Sequence, residues 1–150
     1  MPQSLTNILI HIVFSTKNRQ DLLHKTIRPE LYSYVAGILK NKNCPCYQIG
    51  GIEDHIHISC SLAKTISGSD LIKEIKTSTS AWLKTKDIRL TNFHWQNGYG
   101  MFSISPTHLH GLCKYIANQE NHHKQINFKG ELCGLFKKYN VEYDERYLWD

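Results

Sequence analysis

The sequence has no long hydrophobic run. Hydrophobic residues make up 41% of the 150 residues, yet a typical apolar stretch is as short as residues 8–10 (ILI), which ends at His11. A helix that spans a bilayer needs about 20 consecutive apolar residues, so no membrane segment is expected. The first residues also lack the basic start and the apolar stretch of a secretory signal. The sequence therefore predicts a cytoplasmic protein.

Two widespread catalytic motifs are missing as well. No Gly-x-x-x-x-Gly-Lys-Ser/Thr loop is present, so nucleotide hydrolysis by a P-loop has no support. No Gly-x-Ser-x-Gly elbow is present either. Internal repeats and low-complexity tracts are not found, and 150 residues are enough for one domain with a core but not for two. We expect a single domain over residues 1–150, with residues 124–150 as a C-terminal arm.

The five cysteines do not form a disulfide framework. Their number is odd, and only Cys44 and Cys46 lie close together. One Cys-x-Cys pair is a weak zinc signal, and thiols of a cytosolic protein are expected to be reduced. Lysine and arginine (18) outnumber aspartate and glutamate (13), which gives a net charge of +5. This charge favours a polyanionic partner without specifying one.

The order of the predicted elements indicates an α+β fold. Segment composition predicts strands over residues 5–16, 46–52 and 93–104, and the alternation of His and Ile predicts one over residues 55–58. Start signals and helical periodicity predict helices beginning at Pro29, after Ser67 and at Pro106, the last running to about His123. A short amphipathic piece follows at residues 132–139. The order strand, helix, strand, strand, helix, strand, helix is typical of a ferredoxin-like antiparallel sheet with helices packed on it.

His55 and His57 form the centre of the most informative stretch. Residues i and i+2 of a strand project to the same side, roughly 6.5–7 Å apart along the backbone. Two imidazoles placed in this way can bind one small ion, while Ile56 and Ile58 point into a core. An isolated His-x-His is more often an amphipathic strand that exposes two histidines. On this stretch alone, both interpretations stay open.

The helix predicted after Pro106 carries a second set of polar residues. Tyr115 and Gln119 are separated by one helical turn and share a stripe beside the apolar face. Two neutral imidazoles and an amide oxygen can hold a divalent cation that polarises a phosphate oxygen, and a nearby tyrosine can attack the phosphorus. His122 and His123 fit either phosphate binding or proton transfer, or a solvated helix end where cations complement the helix dipole.

Four segments, in order, resemble the transposase IS200-like family, which comprises the single-tyrosine HUH transposases of the insertion sequence 200/605 group. They are residues 11–19 (HIVFSTKNR), 54–58 (DHIHI), 95–103 (WQNGYGMFS) and 115–123 (YIANQENHH). The resemblance extends from about residue 5 to 125 and is weaker in the tail.

This resemblance implies a DNA transposase that cleaves and rejoins single-stranded DNA at insertion-sequence ends through a 5′-phosphotyrosine. It implies that Tyr115 is the nucleophile and that His55, His57 and Gln119 bind a divalent metal, Mg²⁺ or Mn²⁺. It also implies recognition of hairpins near the element ends. The expected assembly is a homodimer in which the tyrosine helix of one subunit is able to complete the site of the other.

Basic and aromatic side chains supply the candidate DNA contacts. The basic ones are Lys17 and Arg19 beside the first strand and Lys73 and Lys76 on the polar face of the second long helix. Simple solvation is the alternative for that basic face. Trp95 or Tyr99 is a candidate for stacking on an extruded base, with a place in the core as the alternative.

Three other functions are compatible with the sequence. The first is a domesticated relative that acts on chromosomal palindromic repeats. The second is a catalytically inactive ferredoxin-like module that binds single-stranded nucleic acid. The third is a zinc-stabilised interaction domain that uses Cys44, Cys46 and histidines.

Overall fold

Four strands form one antiparallel sheet in the computed structural model, which describes residues 2–149. The strands are β1 (Leu9–Ser15), β2 (Cys46–Gly51), β3 (His55–Ser61) and β4 (Gly100–Ile104). The helices are α1 (Arg28–Asn41), α2 (Gly68–Lys86), α3 (Leu109–Ala117), α4 (Gln119–His122), α5 (Phe128–Lys138) and α6 (Glu145–Leu148). Short 3-10 turns lie at Lys17–Arg19, Ile88–Leu90 and Pro106–His108. The strand order β2-β3-β1-β4 confirms the predicted ferredoxin-like sheet.

Strand β1 lies inside the sheet, between β3 and β4, and all seven of its residues are buried. Ile10, Ile12 and Phe14 belong to the larger core, which packs against α1 and α2. The helices contribute Leu31, Val35 and Leu39 from α1 and Leu71, Ile72, Ile75 and Leu83 from α2. Each fully buried side chain of this size stabilises the fold by roughly 1.5–3 kcal/mol.

The opposite face of the sheet is covered by α3 and α5. A second apolar cluster there joins Val13 of β1 and Phe102 of β4 to Phe128, Leu132, Leu135 and Phe136 of α5. Helix α3 lies against β2 so closely that a Cβ atom at Gly50 would collide with the backbone carbonyl of Ile116. Glycine at position 50 therefore allows the backbones of β2 and α3 to approach each other.

Two predicted elements are interrupted in the structure. The strand predicted over residues 93–104 is reduced to β4, because the chain leaves the sheet in a loop in which Gly98 has φ +91°. The helix predicted from Pro106 to His123 begins with a 3-10 turn and breaks at Asn118, whose φ and ψ are −100° and 21°. Within residues 2–149, no helix combines the length and the apolar character that a membrane span requires.

Candidate active site

His55 and His57 lie on the face of β3 that α3 and α5 cover, and both are fully buried. The Nδ1 atom of each ring has a fixed partner. Nδ1 of His55 is 2.7 Å from Oδ1 of Asp54, and Nδ1 of His57 is 2.8 Å from Nε2 of His11. Such partners set the orientation of an imidazole and leave its other nitrogen free to bind an ion.

Helices α3 and α4 bring Tyr115 and Gln119 to the same place. Oε1 of Gln119 lies 3.0 Å from Nε2 of His55, and its amide nitrogen donates to the backbone carbonyl of Tyr115 at 3.3 Å. The Tyr115 ring centroid is 5.6 Å from that of His57, edge to face. All four predicted site residues therefore converge within one chain, and the break at Asn118 does not separate Gln119 from the cluster.

A carboxylate that is not among the predicted site residues lies at the centre of this cluster. Glu131 of α5 is 4% exposed, and its Oε1 atom lies 3.2 Å from Nε2 of His55 and 3.0 Å from Nε2 of His57. Its other oxygen, Oε2, accepts a hydrogen bond from the Tyr115 hydroxyl. The available signal was an acid within an apolar helical stripe formed by Phe128, Leu132, Leu135 and Phe136.

His123 also belongs to the cluster, so the solvated helix end considered for it is wrong. Its side chain is 4% exposed, and its Nε2 lies 2.9 Å from Oε1 of Gln119 and 3.0 Å from Oε1 of Glu131. Its Nδ1 donates to the backbone carbonyl of Ile126. His122 is more exposed, at 33%, with its Nε2 3.3 Å from Oε2 of Glu131.

Burial and neighbouring charges shift the pKa values of the side chains in the cluster. Burial opposes the charge of His55, but the Asp54 and Glu131 carboxylates outweigh it and raise its pKa to about 9. Burial lowers the pKa of His57 to about 4. Hydrogen bonds from His123, His55 and His57 hold the pKa of Glu131 far below its usual range despite burial. Burial and the adjacent Glu131 carboxylate raise the pKa of Tyr115, so the phenol stays protonated.

This donor set fits a divalent cation. One ligand atom from each of His55, His57 and Glu131 lies within 4.8 Å of the others, and His122, His123 and Glu131 form a second such group. Imidazole nitrogens suit manganese and later divalent metals, whereas the carboxylate and amide oxygens also suit magnesium. Neither group includes a cysteine, and Cys44 lies fully buried in the larger core.

A cavity of about 620 Å³ opens beside the Tyr115 side chain, between α3 and α5. Its lining includes His11, His108, Leu112, Glu131, Leu135, Lys138 and Tyr139. Apolar walls with a few convergent polar groups are typical of ligand sites in this size range. The cavity gives a ligand access to the Tyr115 hydroxyl.

The four basic residues predicted to contact DNA lie in different environments. Lys17 and Lys73 are exposed, and the Arg19 guanidinium lies 5.2 Å from the centre of the Trp149 ring. Lys76 instead donates from Nζ to the carbonyl of Gln96 at 2.7 Å, and burial lowers its pKa to about 8. Lys76 thus holds the loop before β4 in place.

The two aromatic candidates for base stacking also differ. Trp95 is buried in the larger core, where its indole N–H donates to Oγ1 of Thr79 at 2.8 Å. Tyr99 is 43% exposed and lines a cavity of about 420 Å³ together with Lys73, Lys76 and Asn97. Of the two, only Tyr99 has a surface that a base can reach.

Arg28 is a second residue that the sequence predictions do not include, and no local pattern indicates it. It is 5% exposed, and its guanidinium donates to Glu120 at 3.0 Å and lies 3.3 Å from Glu53. Glu120 and Glu53 are the neighbours of Gln119 and Asp54, respectively. Arg28 therefore connects the chain segments that carry two parts of the site.

Comparisons with known proteins identify the family of the chain and agree with its fold. A family model described as "Transposase IS200 like" matches residues 4–119. A crystal structure described as a "putative transposase" from Deinococcus radiodurans R1 is similar at a TM-score of 0.61 and 16% identity, over 79% of this chain and 98% of that one. A REP-associated tyrosine transposase bound to a REP hairpin is similar at a TM-score of 0.62 and 16% identity, over 84% of this chain and 74% of that one. No curated protein matches the sequence.

Proposed function

We propose that this chain, which belongs to the IS200-like transposase family, cleaves and rejoins single-stranded DNA through a 5′-phosphotyrosine on Tyr115. The observation that carries this proposal is the convergence of Tyr115 with the Nε2 atoms of His55 and His57 inside one chain. Glu131 contacts all three side chains. A phenol hydroxyl beside a candidate metal site and an open cavity is the arrangement that nucleophilic attack on a phosphodiester requires.

The reaction forms one bond to phosphorus and breaks another. The phenol oxygen of Tyr115 attacks the scissile phosphorus, and the bond from phosphorus to the 3′-oxygen breaks. The phenol loses its proton, and the leaving 3′-oxygen gains one. A second 3′-hydroxyl then reverses the step, so the phosphodiester is restored on a new partner without ATP.

His55, His57 and Gln119 would hold the divalent ion, Mg²⁺ or Mn²⁺. When bound, such an ion acts as a Lewis acid toward a phosphate oxygen. Asp54 and His11 keep the two imidazoles oriented toward that position through their Nδ1 contacts. Neutral His57, whose pKa burial lowers, already has the protonation state that a metal ligand needs.

The proposed substrate is single-stranded DNA with hairpins at insertion-sequence ends. Tyr99 and the exposed Lys17 and Lys73 offer stacking and phosphate contacts. Since the REP-associated relative is bound to a hairpin, folded DNA ends are the appropriate first substrates. A homodimer is the proposed assembly, with each chain able to build a site from its own residues.

The decisive experiment uses labelled single-stranded oligonucleotides from the flanks of the gene, incubated with and without Mn²⁺. A denaturation-resistant protein–DNA band is expected with the wild-type protein and is lost with Tyr115→Phe, while binding of the oligonucleotide is retained. Tyr147→Phe is the matched control, because it removes the hydroxyl of an exposed side chain outside the site. An adduct formed by Tyr115→Phe would overturn the assignment of the nucleophile.

The oligonucleotide panel also separates two roles that share this chemistry. Adducts with the gene's own flanks support a mobile element. Adducts confined to dispersed chromosomal palindromes support a domesticated relative instead. Binding without any adduct under Mn²⁺ or Mg²⁺ supports a non-catalytic module that binds single-stranded nucleic acid.

A further inference from the structure

We propose that Glu131 is a ligand of the same metal site and also holds the nucleophile in place, so that the C-terminal arm supplies an active-site residue. The second half of this inference rests on the proposed function, because it takes Tyr115 as the nucleophile. The first half concerns metal binding alone. Glu131 lies beyond residue 119, where the match to the family model ends.

The two oxygens of Glu131 face different partners. Oε1 lies 3.2 Å from Nε2 of His55 and 3.0 Å from Nε2 of both His57 and His123. Oε2 accepts the hydrogen bond of the Tyr115 hydroxyl. One oxygen is therefore placed among the candidate ligands, and the other fixes the position of the phenol relative to them.

Glu131 is held rigidly by the helix that carries it. Asn127 caps α5 by accepting a hydrogen bond from the backbone N–H of Gly130 at 2.9 Å. Phe128, Leu132 and Leu135 bury the same face of the helix against β1 and β4. The packing of α5 thus delivers a carboxylate to the interior of the site, where an unpaired charge would be costly.

A purely structural role for Glu131 and a ligand role lead to different metal affinities. If Glu131 only neutralises buried histidines, the metal has to displace it, and removing the charge strengthens metal binding. If Glu131 is a ligand, removing the charge weakens metal binding. Hard divalent cations prefer anionic oxygen ligands, and a metal ion competes with protons for the atoms that bind it.

The test is calorimetric titration of Mn²⁺ into the full chain in the absence of DNA. Glu131→Gln keeps the size of the side chain and is expected to weaken Mn²⁺ binding by about 10-fold or more. Glu142→Gln, an exposed substitution in the same arm, is the matched control and is expected to leave the affinity unchanged.

Equal or tighter Mn²⁺ binding by Glu131→Gln would overturn the ligand assignment. If Glu131→Gln does not fold, Glu131→Asp keeps the charge but withdraws the carboxylate from the imidazoles, and a several-fold weaker affinity is again expected. Unchanged affinity in that variant would equally overturn the assignment.

The same titration separates this inference from the proposed function. A wild-type protein that forms no DNA adduct, yet loses Mn²⁺ affinity in Glu131→Gln, disproves the phosphotyrosine mechanism and leaves the ligand assignment intact. If the wild-type protein forms the adduct and Glu131→Gln binds Mn²⁺ with unchanged affinity, the ligand assignment is disproved and the phosphotyrosine mechanism is supported.

Discussion

Nε2 of His11 lies 2.8 Å from Nδ1 of His57, because the two residues, 46 positions apart in sequence, are on the paired strands β1 and β3. The rings are stacked with centroids 5.1 Å apart, and burial lowers the pKa of His11 to about 3. His11 is therefore a neutral hydrogen-bonding partner that orients His57. In metal sites, the partner of a ligand histidine determines which of its nitrogens faces the ion.

Replacing His11 is expected to weaken metal binding without removing a ligand. His11→Phe keeps an aromatic ring next to Phe102 but cannot hydrogen-bond to His57. Mn²⁺ affinity, measured by calorimetry, should fall by about 10-fold. His110→Phe, at an exposed position of α3, is the control. Wild-type affinity in His11→Phe would show that the contact does not orient His57.

The close approach of β2 and α3 makes Gly50→Ala destabilising. The added methyl group would meet the carbonyl of Ile116, and the strain should lower the free energy of unfolding by about 1–3 kcal/mol. Because α3 carries Tyr115, the yield of DNA adduct should fall as well. Urea unfolding and the adduct assay measure the two effects.

The control for this substitution is Gly37→Ala in α1, where an added Cβ meets no atom within 4 Å. Alanine in a helix is expected to raise the free energy of unfolding by roughly 0.5–1 kcal/mol. Equal stability of the two variants would contradict the interpretation of Gly50 as a site of close backbone contact.

Lys73 and Lys76 should respond differently to substitution. Lys73→Ala removes an exposed charge, and the salt dependence of single-stranded DNA binding should become shallower by about 0.7 in the slope of log K against log salt. The free energy of unfolding of Lys73→Ala should be unchanged. Lys76→Met should lower the free energy of unfolding by about 1–3 kcal/mol, because the Gln96 carbonyl loses its donor.

Fluorescence anisotropy at several salt concentrations and urea unfolding distinguish these outcomes. A Lys76→Met protein of wild-type stability with a shallower salt dependence would show that Lys76 is a phosphate contact rather than a support of the loop. An unchanged slope in Lys73→Ala would remove Lys73 from the DNA-binding surface.

Because one chain brings Tyr115 together with His55 and His57, two inactive variants should not rescue each other. Mixing Tyr115→Phe with His57→Ala is expected to give no adduct above the sum of the separate proteins. Wild-type adduct yield per chain should also be independent of protein concentration. Restored adduct in the mixture would show instead that the tyrosine helix is exchanged between subunits of a dimer.

Much of the architecture was predictable because it depends on local periodicity. β-rich segments placed the strands, and the ferredoxin-like order followed from their succession with the helices. The shortening of the strand predicted over residues 93–104 and the break of the last long helix at Asn118 were not predictable in this way. Trp95 forms an isolated β-bridge with Thr16, and its indole N–H bonds to Thr79 of α2, a contact that no local pattern encodes.

The sequence by itself placed His55 and His57 on one side of a strand and Tyr115 and Gln119 one turn apart. These relations follow from the periods of strands and helices, and the resemblance to the transposase family assigned their predicted roles. Only the tertiary structure brought His11 and Glu131 to them. Strand pairing and the burial of the apolar face of α5 decide those contacts, because both depend on which distant surfaces meet.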